Sequence, residues 1–186
     1  MDGILGEILF VVVLIAINGY FAAAEIALVS ARRAALKMEA DEGSQRARSA
    51  LRLTEDPSRL LAAIQVGITL VGFGASATAA VTLAEPVASW FASLGVPWVR
   101  SVASGLSVFL VTLVISYLTL VFGELAPKRL GLQRAESVAK AVAGPITLLQ
   151  KSTAPLIWVL SRSTDAAARL LGVTPGSVRP DRKSVV

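Results

Sequence analysis

The sequence predicts an all-α integral membrane domain: three transmembrane helices followed by kinked helices lying along the membrane surface. Three observations predict it. Of the 186 residues, 54% are hydrophobic and 17% charged, whereas a soluble domain carries about a quarter charged residues. Three apolar runs, over 4–29, 59–83 and 102–122, each have about the twenty residues needed to cross a bilayer. The Lys and Arg residues, 18 against 13 acids, flank those runs. That placement reads as anchoring at the membrane surface, and no nucleic-acid partner is expected.

In the first run only Glu7, Asn18 and Glu25 are strongly polar, and no Lys or Arg precedes Arg32. A secretory signal needs a basic leader, so the run reads as a retained helix. Asn18 and Glu25 are seven apart, two helical turns, and share a face. The intervening "GYFAAAE" supplies small residues for close helix contact. Glu25 reads either as a functional carboxylate or as an interfacial one paired with Arg32 or Arg33.

A polar, basic stretch follows, and Asp56-Pro57 is an N-cap and first-turn pair for the second helix. On that helix Gln65, Thr69, Gly72 and Ser76 form one polar or small stripe, suited to a site or to helix packing. Pro86, Gly95 and Pro97 mark a turn region, with Trp90, Phe91 and Trp98 as interface aromatics. The third run repeats the small polar stripe with Thr112, Ser116, Thr119 and Gly123. Seven cations lie in the 31–59 stretch, namely Arg32, Arg33, Lys37, Arg46, Arg48, Arg52 and Arg59, against Arg100 alone in 84–100. The positive-inside rule then predicts an outside N-terminus and a cytoplasmic C-terminus in a multi-pass plasma-membrane protein.

Residues 141–161 are apolar but interrupted by Gln150, Lys151 and Ser152. Pro145 and Pro155 are each expected to break a helix. A fourth span would put Arg162, Arg169, Arg179, Arg182 and Lys183 outside, so the stretch is expected to lie at the cytoplasmic interface. The domain is assigned to 1–172, and 173–186 to a basic tail or linker.

With no Cys and no His, disulfides, thiolate sites and the commonest general base are excluded. An enzyme is not expected, and any metal site must be built from oxygen, as suits Mg2+ or Ca2+. The strongest candidate is "GELAPKR", 123–129, at the end of the third run. Pro127 has no N–H, so the Gly123 carbonyl loses its helical partner. Within a membrane such a carbonyl is tolerated only beside protein or water. Gly123 is expected to loosen the backbone there, and Glu124 adds a carboxylate, a hard ligand for a divalent cation. Lys128 and Arg129 mark the membrane boundary.

"NGYFAAAEIALVS", "LLAAIQVGITLVGF" and "VFGELAPKR", in that order, resemble the transmembrane domain of the CorC/CNNM family, whose bacterial members include hemolysin-like proteins. The resemblance implies a homodimer with three spanning helices per chain and a juxtamembrane helical belt. It also implies Mg2+ transport, most often efflux and with Na+ coupling, through a site between helices. Glu124 matches the family's ligand glutamate. Gly123, Glu25, Gln65 and Thr69 complete the candidate ligand set, while Gly123, Pro127 and Lys128 are the candidate gate. The pattern departs at Ala22, Ile68 and Gly72, where magnesium members carry Ser or Asn. Two alternatives therefore stand beside Mg2+: export of polyamines such as putrescine or cadaverine, and a non-transporting scaffold or regulatory subunit. Full-length relatives continue into cytoplasmic CBS domains that bind nucleotide; no nucleotide site is expected in these residues.

Overall fold

The computed structural model describes residues 2–93 and 97–171, and the side chains of 2–3, 97–102 and 165 fall outside that description along with Gly95 and the tail from 172. The expectations for Trp98, Arg100 and 173–186 therefore lie outside the described residues. Within them every regular element is helical: α1 (Asp2–Ser30), α2 (Arg33–Asp41), α3 (Gln45–Leu53), α4 (Pro57–Thr82), α5 (Ala84–Ser93), α6 (Pro97–Leu120), a π turn (Val121–Leu125), α7 (Ala126–Gln133), α8 (Ala135–Ser152) and α9 (Ala154–Leu170). Three stretches are long and apolar enough to cross a membrane, Ile4–Ser30, Pro57–Ser93 and Ala103–Gln133. Leu9, Phe10, Leu70, Phe73, Phe109 and Leu113 are exposed on their outward faces, a surface suited to lipid rather than water. The chain is a membrane protein.

Local chemistry sets the element ends. The Asp56 carboxylate accepts the Arg59 N–H at 3.1 Å and Pro57 occupies the first turn of α4, as the sequence predicts. The stretch 31–59, read as polar and basic, folds into an amphipathic helical hairpin, α2–α3. Gly43, at φ +102°, turns its corner, and Ser44 caps α3 by accepting from Ala47 N–H. The hairpin buries Leu36, Ala40, Ala47, Ala50 and Leu53.

Pro145 departs from expectation: α8 runs through it without interruption. Pro145 and Ala141, whose carbonyl it frees, both lie on the exposed face, where the lost bond costs least. The opposite face buries Ala139, Val142, Ala143 and Ile146. The interruption falls instead at Thr153, ahead of Pro155 in the first turn of α9. Neither α8 nor α9 is long and apolar enough to span.

Two apolar cores stabilise the bundle. One, near the basic end, joins Ala24, Ala27 and Leu28 of α1 to Leu36, Leu53, Leu60, Ile64, Ala139 and Ile146. The other joins Val11 and Ile15 of α1 to Ala79, Val111 and Ile115. Small residues let α1 and α4 approach closely: a Cβ on Gly67 would stand 3.0 Å from the Phe21 ring. Ion pairs Arg32–Glu136 (2.7 Å) and Lys140–Glu39 (2.6 Å) tie α8 to the α1–α2 corner and to α2.

Candidate functional site

Between the two cores lies a polar layer centred on the π turn. The third span is not broken there: α6 passes through the turn into α7, and the Ala126 N–H reaches back five residues to the Val121 carbonyl. A π turn inserts an extra residue and marks functional positions more often than chance. Pro127 sits in the first turn of α7, directly after the π turn. The Gly123 carbonyl does lose its ordinary partner, and the buried side chain of Asn18 supplies one: Nδ2 donates to it at 3.0 Å. Gly123 is needed for space rather than for looseness. A Cβ there would meet Asn18 Nδ2 and the Ile15 carbonyl at 3.3 Å.

Glycines also seat the turn against α1. A Cβ on Gly19 would lie 2.9 Å from the Phe122 carbonyl and from Pro127, and one on Gly131 would lie 2.6 Å from the Ala23 carbonyl. These are backbone-to-backbone contacts, and they hold Glu124 and Lys128 against α1. The small residues of "GYFAAAE" signalled the first; nothing in the sequence around Gly131 signalled the second.

Lys128 gathers the carboxylates. Its Nζ donates to Glu124 Oε1 at 2.9 Å and lies 3.4 Å from Glu25 Oε2. All three side chains are partly buried, 33% exposed for Lys128, 38% for Glu124 and 22% for Glu25. Glu25 therefore pairs with Lys128, and Arg32 pairs with Glu136 instead. That outer pair holds the Glu136 carboxyl below its usual range, chiefly through the hydrogen bond from Arg32.

On its other side Glu124 lines a cleft of about 310 Å³ with Asn18, Ile68, Thr69, Gly72, Ser76, Ser116 and Thr119. Two oxygens here, Asn18 Oδ1 and Thr119 Oγ1, are buried without a hydrogen-bond partner among the described residues. Buried polar atoms are nearly always paired, which sets these two oxygens apart from the rest of the buried polar groups. Gln65 lies apart. It lines a separate cleft of about 380 Å³ against Leu156 and Leu160 of α9, and its Nε2 reaches Thr69 Oγ1 at 3.5 Å. Thr69 lines both clefts. Of the departures from the resembled pattern, Ile68 and Gly72 line the Glu124 cleft, while Ala22 is fully buried. Asn18, Ser116 and Thr119 were visible in the sequence as polar residues on helix faces, but packing explained those stripes equally well.

Residues 9–184 match the cyclin M transmembrane N-terminal domain, CNNM. The chain belongs to the CNNM family. Similar proteins include the UPF0053 protein sll0260 of Synechocystis sp., 40% identical to this CNNM domain over 174 residues, which are 94% of the chain and 38% of that protein. The UPF0053 protein YhdT of Bacillus subtilis is 34% identical over 177 residues, 95% of the chain and 38% of that protein. The polyamine export protein of Haemophilus influenzae is 29% identical over 175 residues, 94% of the chain and 39% of its own length. The CNNM domain described here thus spans less than two fifths of each of these relatives' length.

Proposed function

We propose that this CNNM domain transports a divalent cation across the plasma membrane, with Mg2+ efflux as the leading reading. Glu124 is the central ligand, and Asn18 Oδ1, Thr119 Oγ1 and Thr69 supply neutral oxygens from the cleft. Glu25 is the supporting carboxylate, and Gly123, Pro127 and Lys128 form the gate. The observation that carries this reading is the pair of orphaned buried oxygens in the cleft that Glu124 lines. A hard cation satisfies such acceptors with no donor required. Ile68 and Gly72 leave α4 poor in ligands, so water completes the shell. The basic connection between the first two spans sets the N-terminus outside, and the working unit is a homodimer, in keeping with the family resemblance.

A second reading, polyamine export, is favoured by Lys128 itself. An alkylammonium already rests between Glu124 and Glu25, the way one end of putrescine would. A relative is named for polyamine export. Titration calorimetry with Mg2+ and with putrescine, on the wild type and Glu124→Gln, tests both. Saturable Mg2+ binding lost in the variant supports the cation site, and a response to putrescine alone transfers the site to polyamines. Silence toward both supports the scaffold alternative, in which the polar stripes serve packing.

A further inference from the structure

Glu124 stands between two environments. On one side is the cleft with its orphaned oxygens; on the other is the Lys128 ammonium, shared with Glu25. We infer that Lys128 is a tethered counter-cation that a dication must displace to bind. The inference rests on the cation-site reading above and deepens it by naming the group that leaves when cargo enters.

Charge arithmetic carries the argument. Glu25, Glu124 and Lys128 together sum to −1, so the cargo-free site carries one net negative charge. A divalent cation added beside a seated Lys128 brings the sum to +1 within the spanning segment, where uncompensated charge is costly. If the ammonium leaves, two carboxylates and a dication sum to zero. A monovalent ion added beside the ammonium already brings the sum to zero, with no displacement. A dication, whether a metal ion or a diamine, reaches zero only when the ammonium leaves.

The side chain suits the exchange. Lysine is a compact point charge on a flexible four-carbon stem, unlike the rigid fork of arginine. Lys128 lies near the basic end of the third span, a third exposed, and can swing its ammonium outward to the interface. Its distances, 2.9 Å to Glu124 and 3.4 Å to Glu25, describe an occupied site that a free side chain can vacate. A lysine seated about nine-tenths of the time would weaken apparent cargo affinity about tenfold, because only the vacated fraction binds.

The test is Mg2+ titration of the full chain in detergent for the wild type, K128M and K128Q, with near-native circular dichroism required of each variant. The two substitutions remove the charge with different polarity, so one folded variant suffices. Expected is Mg2+ binding about tenfold tighter than wild type. Unchanged or weaker Mg2+ affinity in a folded variant, with wild-type binding intact, would overturn the counter-cation role while the site stands. Absence of binding to wild type and variants alike would remove the cation site and this inference with it. A direct signature accompanies the titration: the resonance of 13C-methylated Lys128, assigned by its loss in K128M, should shift at saturating Mg2+. A resonance unmoved while Mg2+ binds refutes displacement.

Discussion

Asn18→Leu is the substitution that separates the π turn's chemistry from its packing. Asn18 is 3% exposed, and its Nδ2 is the donor that reaches the Gly123 carbonyl, 3.0 Å away. Leucine keeps the branching at Cγ, adds some bulk, and replaces both amide atoms with methyl groups. The Gly123 carbonyl would then be buried without that donor, at a cost of about 1–3 kcal/mol. Return to a regular α-helical register offers no relief, since the N–H would have to come from Pro127. The orphaned Asn18 Oδ1 disappears as well, which recovers part of that cost. The expected net loss is therefore about 1–2 kcal/mol, roughly tenfold in the unfolding equilibrium. It is read as a lowered midpoint in denaturant unfolding of the micelle-bound protein, followed by far-UV circular dichroism. Mg2+ affinity should fall too, because a cleft oxygen is gone. Asn18→Asp keeps oxygens but lacks the donor, and should be destabilised while retaining more cation affinity than Asn18→Leu. A leucine variant with wild-type midpoint and wild-type Mg2+ affinity would refute the reasoning.

Other expectations follow from equally local features. Gly131→Ala places a Cβ 2.6 Å from the Ala23 carbonyl; α7 must move off α1, costing about 1–3 kcal/mol of overpacking, read as a lowered unfolding midpoint. Gly144→Ala meets nothing within 4 Å and should stabilise α8 by about 0.5–1 kcal/mol, read as a raised unfolding midpoint. Asp56→Ala removes the α4 cap and should cost about 1 kcal/mol. The Asp56 carboxyl is held below its usual range, first by the Arg59 N–H and then by Ser58. Its contribution is therefore complete above the ordinary Asp value, about pH 4, and is lost as pH falls through the lower folded value. Acid unfolding of Asp56→Ala should lack that component.

Run length and charge asymmetry, both one-dimensional properties, made the three spans and the Asp56 cap readable in the sequence. The 31–59 hairpin was missed because its apolar positions, Leu36, Ala40, Ala47, Ala50 and Leu53, are sparse among cations and mostly small. Their burial depends on α8, more than eighty residues away along the chain. Pro145 misled because the cost of a proline in a helix depends on which face it occupies, and that face is defined only by the partner helix. The loss of the Gly123 carbonyl's partner could be deduced from Pro127 alone. Its rescue by Asn18, 105 positions earlier, could not. The same holds for Glu25: its neighbours in sequence, Arg32 and Arg33, outranked Lys128 until the fold set α7 on α1.

The contact between α1 and α7 is made of backbone on backbone, at Gly19 with Phe122 and at Gly131 with Ala23. Such a contact has no rotamers, so it cannot creep; it is either seated or lost. The backbones of the first span, the π turn and α7 are thereby held as one unit. What remains free to rearrange at the polar layer is the side chains, those of Glu124 and Lys128 above all.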